Sequence, residues 1–294
     1  MSSVGEQLAA FVPSDQSFFG YLFWLSRPRF WLYLAGPVAV GVVYAADSVA
    51  GFFQPLALLL FGWFLVPANL FLYGVNDIFD VNIDENNPKK GEDGREVQYT
   101  GDGIVVMVVY LAGAVGTLFG FALTIEGIYA LAAFYVLAVE YSAPPLRFKT
   151  TPVLDSLSNG LYVLPGVVAY IAIAGESPPL LAVAGGWLWT MGMHTFSAVP
   201  DIEPDRAAGI DTTATLLGER WTLVYCGVVW LAAAILMELL HPLLGVAFGA
   251  YPVLTALFAL SEVSVDRAYW WFPIINTVAG AVLTMGGVWV VLYG

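Results

Sequence analysis

The sequence is short of charge. Only 11% of its 294 residues are Asp, Glu, Lys or Arg, less than half of the roughly 25% usual in a soluble domain. A chain of this length with so few charges cannot cover a water-facing surface. Basic residues are scarcer still, ten Lys and Arg against 23 Asp and Glu, a net charge of −13. That balance excludes nucleic-acid binding, which needs a basic footprint. A single cysteine, Cys226, lies in an apolar segment. It excludes an intrachain disulfide and has no partner for a metal site or a catalytic thiol, which leaves core packing. The first twenty-five residues have no basic n-region and carry Glu6 and Asp15, so no signal peptide is expected.

Apolar residues are abundant, at 59% of the chain, and the mean hydropathy is +0.78. Thirty glycines suit close helix approach, and ten tryptophans suit bilayer interfaces. The cluster Phe18, Phe19, Tyr21, Phe23, Trp24 predicts an interfacial segment over residues 1–26. A spanning helix needs about 17–25 mostly apolar residues. Nine stretches qualify, near 30–47, 52–75, 104–124, 127–143, 153–174, 180–199, 221–240, 243–260 and 271–293. The expected architecture is an all-α membrane protein, one domain over residues 1–294. His241-Pro242 reads either as a turn between spans seven and eight or as a kink in one helix.

The basic residues orient the bundle. Arg27 and Arg29 precede span one; Lys89, Lys90 and Arg95 follow span two. Arg147 and Lys149 follow span four, Arg206 and Arg220 follow span six, and Arg267 follows span eight. With the N-terminus inside, all ten fall on the cytoplasmic side and the C-terminus lies outside. The opposite turns carry Asp47, Glu126 and Glu176 and no Lys or Arg. Merging spans seven and eight would break the pattern. A multi-pass protein of the cell membrane is expected, with its chemistry in the longer cytoplasmic loops.

Two acidic clusters stand at the ends of spans two and six. In Asn76-Asp77-Ile-Phe-Asp80-Val-Asn82-Ile-Asp84, a helix continuing beyond the membrane would align Asn76, Asp80 and Asp84. In Pro200-Asp201-Ile-Glu203-Pro-Asp205-Arg206, two aspartates are again four apart, with Pro200 and Pro204 limiting helix regularity. Converging carboxylates repel unless a cation sits among them, and an all-oxygen donor set suits Mg²⁺. The bland alternative is a helix cap or a solvated acidic turn. Facing clusters that hold Mg²⁺ can neutralise a diphosphate. Arg27, Lys89, Lys90, Arg147, Lys149 and Arg206 are candidates to complete that anion clamp, although each also serves as a topology determinant. The acidic excess itself reads as a metal site with a halophile's surface, or as an acidic surface alone.

These residues resemble the UbiA-type intramembrane prenyltransferases. Asn76-Asp77-x-x-Asp80-x-x-x-Asp84 matches that family's first signature, and Asp201-x-x-x-Asp205-x-x-x-Gly209 is similar to its second. The segment Tyr141 to Lys149 resembles its tyrosine–lysine loop, with longer spacing. The resemblance implies a nine-helix bundle around a central cavity capped by cytoplasmic loops. It implies Mg²⁺ on Asn76, Asp80, Asp84, Asp201 and Asp205, with Asp77 and Asp84 supporting the shell directly or through water. Many relatives follow the first signature with Asn-Arg-Pro-x-Arg-Pro, where this chain has Asn87-Pro88-Lys89-Lys90-Gly91-Glu92. That stretch is similar to the lycopene-elongating branch, which makes C50 carotenoids such as bacterioruberin in halophilic archaea. The implied reaction adds a C5 unit from dimethylallyl diphosphate to the ends of lycopene, with hydration in the archaeal branch.

On this reading Tyr73 and Tyr141 offer ring faces to an allyl cation. His194 lies seven residues before Asp201; it orients water or accepts a proton, or is a hydrogen-bonded packing histidine. Asn69, Glu140, Asp155, Asn159 and Asn276 are further polar residues in apolar spans. An acceptor as long as lycopene enters from membrane lipid. The competing readings are an aromatic or archaeal glycerolipid acceptor and, in another class, a cation-coupled transporter.

Overall fold

The structure is a computed structural model that describes residues 14–81, 97, 99, 101–261 and 265–294. Each of the nine apolar stretches is helical, and no strand occurs among the described residues. The short helix α1 (Phe18–Leu25) precedes α2 (Trp31–Ala45). Span two is α3 (Pro55–Leu65) and α4 (Pro67–Phe79), and spans three and four are α5 (Gly103–Thr117) and α6 (Ile125–Glu140). Span five starts as two short turns and runs on as α7 (Leu164–Ala174), followed by α8 (Leu180–Ser197) and the short α9 (Ile202–Ala207). Three long helices finish the chain: α10 (Thr213–Glu238), α11 (Pro242–Leu260) and α12 (Val265–Tyr293). Six helical stretches are long and apolar enough to cross a membrane on length and composition alone.

Span two is broken where one helix was expected. Val66 leaves helical geometry and Pro67 supplies no N–H. The freed carbonyls of Phe64 and Leu65 accept from Asn69 Nδ2 at 2.8 and 3.0 Å, which gives this in-span asparagine a structural task. The His241-Pro242 turn divides two helices: His241 Nδ1 accepts from the Leu243 N–H at 3.2 Å and Pro242 opens α11. Residues 18–25 form the helix expected at the interface.

The apolar core has two main parts and a smaller third around Ala233, Met237 and Phe248. Leu34, Phe64, Phe71, Val109, Phe134 and Val168 belong to one built on spans one to five. Phe196, Cys226, Trp230, Tyr251 and Phe272 belong to another built on spans six to nine. Cys226 is buried, as its apolar neighbours predict. α2 packs along α7, and α8 along α10. The first contact demands glycine, because a Cβ on Gly41 would sit 2.2 Å from the Gly166 carbonyl oxygen. Met107, Leu111, Val115 and Leu118 form an exposed helical stripe, as do Val278, Val282, Met285 and Trp289. Such stripes belong against lipid.

Candidate active site

Asp77 and Asp80 stand at the C-terminal end of α4, each with 2% of its surface exposed. A helix C-terminus is the negative end of the backbone dipole. Two carboxylates buried there need cations, and three arrive. Arg27 Nη2 meets Asp77 Oδ1 at 3.1 Å. Arg147 Nη2 meets Asp80 Oδ1 at 3.1 Å, and Lys149 Nζ bonds Asp80 Oδ2.

Both arginines are presented alike. Arg27 and Arg147 have left-handed backbones, with φ of 51° and 41°, and each immediately precedes a three-residue 3₁₀ turn. Non-glycine residues hold that geometry only where their surroundings enforce it. The enforcement at Arg147 is visible: its N–H donates to the Ala143 carbonyl at 3.1 Å, and the Lys149 N–H donates to the Tyr141 carbonyl at 3.0 Å. The 141–149 loop thus closes on itself and delivers two cations to one carboxylate. Arg27 also lies 4.6 Å from the Tyr73 ring centroid.

Asn76 and Asp80 point toward a common spot. The Ser142 hydroxyl donates to Asn76 Oδ1 at 2.8 Å and stands 3.5 Å from Asp80 Oδ2. The stripe expected to run on through Asp84 is interrupted at Asp80, with Val81 helical again. α4 ends at Phe79, and Asp80 caps it outside helical φ/ψ. Asp84, Lys89, Lys90 and Arg95 lie outside the described residues.

The second cluster is built differently. Asp201 ends a 3₁₀ turn, and Asp205 lies on α9. Pro200 and Pro204 occupy first-turn positions, where no backbone donor is lost. Both aspartates are partly buried. Arg206, expected in the anion clamp, is bound elsewhere: Nη1 to Glu203 Oε1 at 2.9 Å and Nη2 to the Thr215 carbonyl at 2.8 Å. A break at Gly218, φ 71°, explains the second bond, because it interrupts α10 just beyond Thr215.

A third constellation connects the clusters. The Tyr141 hydroxyl is 3.3 Å from His194 Nε2. Tyr141 lies in the field of Asp80, and His194 in that of Asp201; Asp155 acts on both. Asp155 is 1% exposed and accepts from the Thr213 N–H at 3.0 Å and from its hydroxyl. It therefore ties span five to the start of α10. The Tyr73 hydroxyl lies 3.4 Å from that of Tyr162. Asn276 bonds Tyr33 at 3.0 Å and Tyr251 at 2.9 Å, joining spans one, eight and nine. Tyr33, Tyr141, Tyr162 and His194 lie deep in the bundle yet keep partial exposure, so they border internal space.

Sequence reading passed over Ser142, Tyr162 and Thr213. A serine beside two prolines and a tyrosine in an apolar run carry no distinguishing pattern; only the fold brings them to the acids. Among the described residues no three of His, Cys, Asp and Glu converge closely enough to hold a metal ion. The gathered donors are nevertheless oxygens, and Asn76 and Asp80 share one hydroxyl. That chemistry fits a hard divalent cation such as Mg²⁺ better than a soft one.

The chain is 58% identical over 289 residues to a lycopene elongase/hydratase of Haloarcula japonica, covering 98% of both chains. It is 58% identical to a lycopene elongase/hydratase of Halobacterium salinarum, covering 94% of this chain and all of that one. Its fold matches the solved structure of a UbiA homolog from Archaeoglobus fulgidus bound to DMAPP and Mg²⁺. The TM-score is 0.71 at 19% identity, over 93% of this chain and 99% of the other. The profile of the UbiA prenyltransferase family matches residues 34–272. With the signature acids at the ends of its second and sixth spans, this multi-pass membrane chain belongs to the UbiA prenyltransferase family.

Proposed function

We propose that the chain transfers a dimethylallyl group from its diphosphate to the ends of lycopene, with hydration, as a step of C50 carotenoid synthesis. The observation that carries the donor half is the helix end where Asp77 and Asp80 are met by Arg27, Arg147 and Lys149. Arg27, Arg147 and Lys149 bring fixed positive charge to this helix end, where an anion can be met. The acceptor half rests on 58% identity, over nearly the whole chain, to the elongase/hydratases of two halophilic archaea.

Asn76, Asp80, Asp201 and Asp205 would hold Mg²⁺, joined by Asp84 on its position in the signature. When bound, the metal supplies charge that stabilises the departing diphosphate. Arg27, Arg147 and Lys149 add fixed positive charge to the same leaving group, and preorganised charge is the largest usual contribution to such a step. Tyr73, whose ring lies under Arg27, would offer its aromatic face to the allyl cation. Closure of the bundle excludes water until the allyl group has moved. Both acid clusters face the cytoplasm in this reading, since all ten basic residues lie on that side of the span pattern. The whole chain works as one domain.

The test is incubation of membranes holding the chain with labelled dimethylallyl or geranylgeranyl diphosphate and lycopene. Label from the short donor should appear in C45 and C50 products. Incorporation from the long donor alone, or only into aromatic or glycerolipid acceptors, would reject the assignment.

A further inference from the structure

We propose that Tyr141 and His194 form a proton relay that ends the reaction, removing the proton of the water that adds to the product cation. This rests on the reading above and adds to it the machinery of hydration, the second activity in the relatives' name.

The geometry comes first. The Tyr141 hydroxyl stands 3.3 Å from His194 Nε2, with the two rings edge to face at 5.8 Å. Donation from that hydroxyl places the neutral imidazole's own hydrogen on Nδ1 and leaves Nε2 as the acceptor. The chain has two histidines. The other, His241, caps the Leu243 N–H at the turn before α11. His194 is thus the one imidazole in the bundle interior. An imidazole changes charge near neutral pH, whereas the surrounding hydroxyls do not.

Fixed negative charges offset part of the cost that burial sets against a transient imidazolium. The charged groups acting on His194 are Asp155 and Asp201, both negative. Those acting on Tyr141 are Asp155 and Asp80, with Tyr162 and Asn159 as its polar neighbours. Asp155 is fixed by two bonds from Thr213, and the Asn159 amide donates to its backbone carbonyl at 2.6 Å. A buried, immobile carboxylate acts on charge at the ring more strongly than it would in water. The partial exposure of Tyr141 and His194 inside the bundle leaves room for the water.

The step balances. The terminal alkene of the acceptor bonds to C1 of the dimethylallyl group as its C–O bond breaks, and the diphosphate leaves with the electron pair. Positive charge then rests on a tertiary carbon of the product. A water oxygen bonds to that carbon. One water proton passes to the Tyr141 oxygen while the Tyr141 proton passes to His194 Nε2, and the imidazolium later releases it to solvent. Where the relay is missing, the cation loses a proton from an adjacent carbon and gives an alkene.

The experiment reads product partition, whatever the total turnover. Membranes bearing wild type, His194→Gln or Tyr141→Phe receive dimethylallyl diphosphate and lycopene, and hydroxylated and alkene C45 and C50 products are separated by mass. A positioned proton acceptor contributes roughly 10²–10⁴-fold, so the hydroxylated-to-alkene ratio should fall by about ten-fold or more in both variants. A ratio within about two-fold of wild type in either folded variant overturns the relay, because loss of a bond that only packs the helices would not change it. Tyr141→Phe, which removes a single oxygen, decides the matter if His194→Gln does not fold. Wild-type membranes that elongate lycopene without hydroxylating it overturn the relay and leave the transferase reading intact. Wild-type membranes with no elongation overturn both.

Discussion

The first acid cluster ends a thirteen-residue helix and is buried, while the second spans a 3₁₀ turn and a six-residue helix and stays partly open. The neighbouring basic residues divide the same way. Arg27, Arg147 and Lys149 turn onto Asp77 and Asp80. Arg206, one residue from Asp205, turns onto Glu203 and the Thr215 carbonyl. Equal spacing in sequence therefore conceals two kinds of site. The first cluster is an ion-pair cage whose charges are fixed before any ligand arrives. The second sets its carboxylates on a 3₁₀ turn and a short helix whose own arginine, Arg206, is held by Glu203 and the Thr215 carbonyl.

This contrast orders the expected effects. Chelation of divalent cations acts on both clusters and should abolish transfer, with full recovery on adding Mg²⁺; transfer that persists in chelator would separate the acids from metal chemistry. Asp80→Asn, in the cage, should lower the transfer rate by about 10²–10³-fold at saturating donor, the range seen when one charge-stabilising group is lost. Arg27→Ala takes its cation away from the buried Asp77 carboxylate. Breaking a buried pair costs about 3–5 kcal/mol, so thermal unfolding in detergent should shift down sharply. Thr213→Val removes the hydroxyl donated to buried Asp155 and should cost about 1–3 kcal/mol, read in the same melt. Arg206→Ala, at the exposed pair beside the second cluster, should cost no more than about 1 kcal/mol. An Arg206→Ala melt as low as that of Arg27→Ala would erase the distinction between the clusters.

Much of this was legible in the chain itself. Apolar runs located all nine spans because a bilayer leaves no alternative to hydrogen-bonded helices for such segments. The signature acids were legible because carboxylates at the ends of apolar helices are costly without a purpose. Helix interruptions were less so: Val66 breaks span two at Pro67, and Asp80 leaves helical geometry where its spacing suggested an unbroken helix. Those depend on where carbonyls find donors, as with Asn69 on Phe64 and Leu65. The partners of the acids were partly visible. Arg27, Arg147 and Lys149 stood out as cations in a chain nearly devoid of them, but their pairing with Asp77 or Asp80 is tertiary. Ser142 and Thr213 carried no signal, since a hydroxyl is marked only by what the fold sets against it.

The central claim is that the two clusters act as one site, and a double-mutant cycle tests it most directly. Transfer from dimethylallyl diphosphate is measured for Asp80→Asn, Asp205→Asn and the two combined. Groups that work as a unit are non-additive. The account predicts that the combined variant is no slower than the slower of the single ones. Losses that multiply, as for two independent sites, would contradict it.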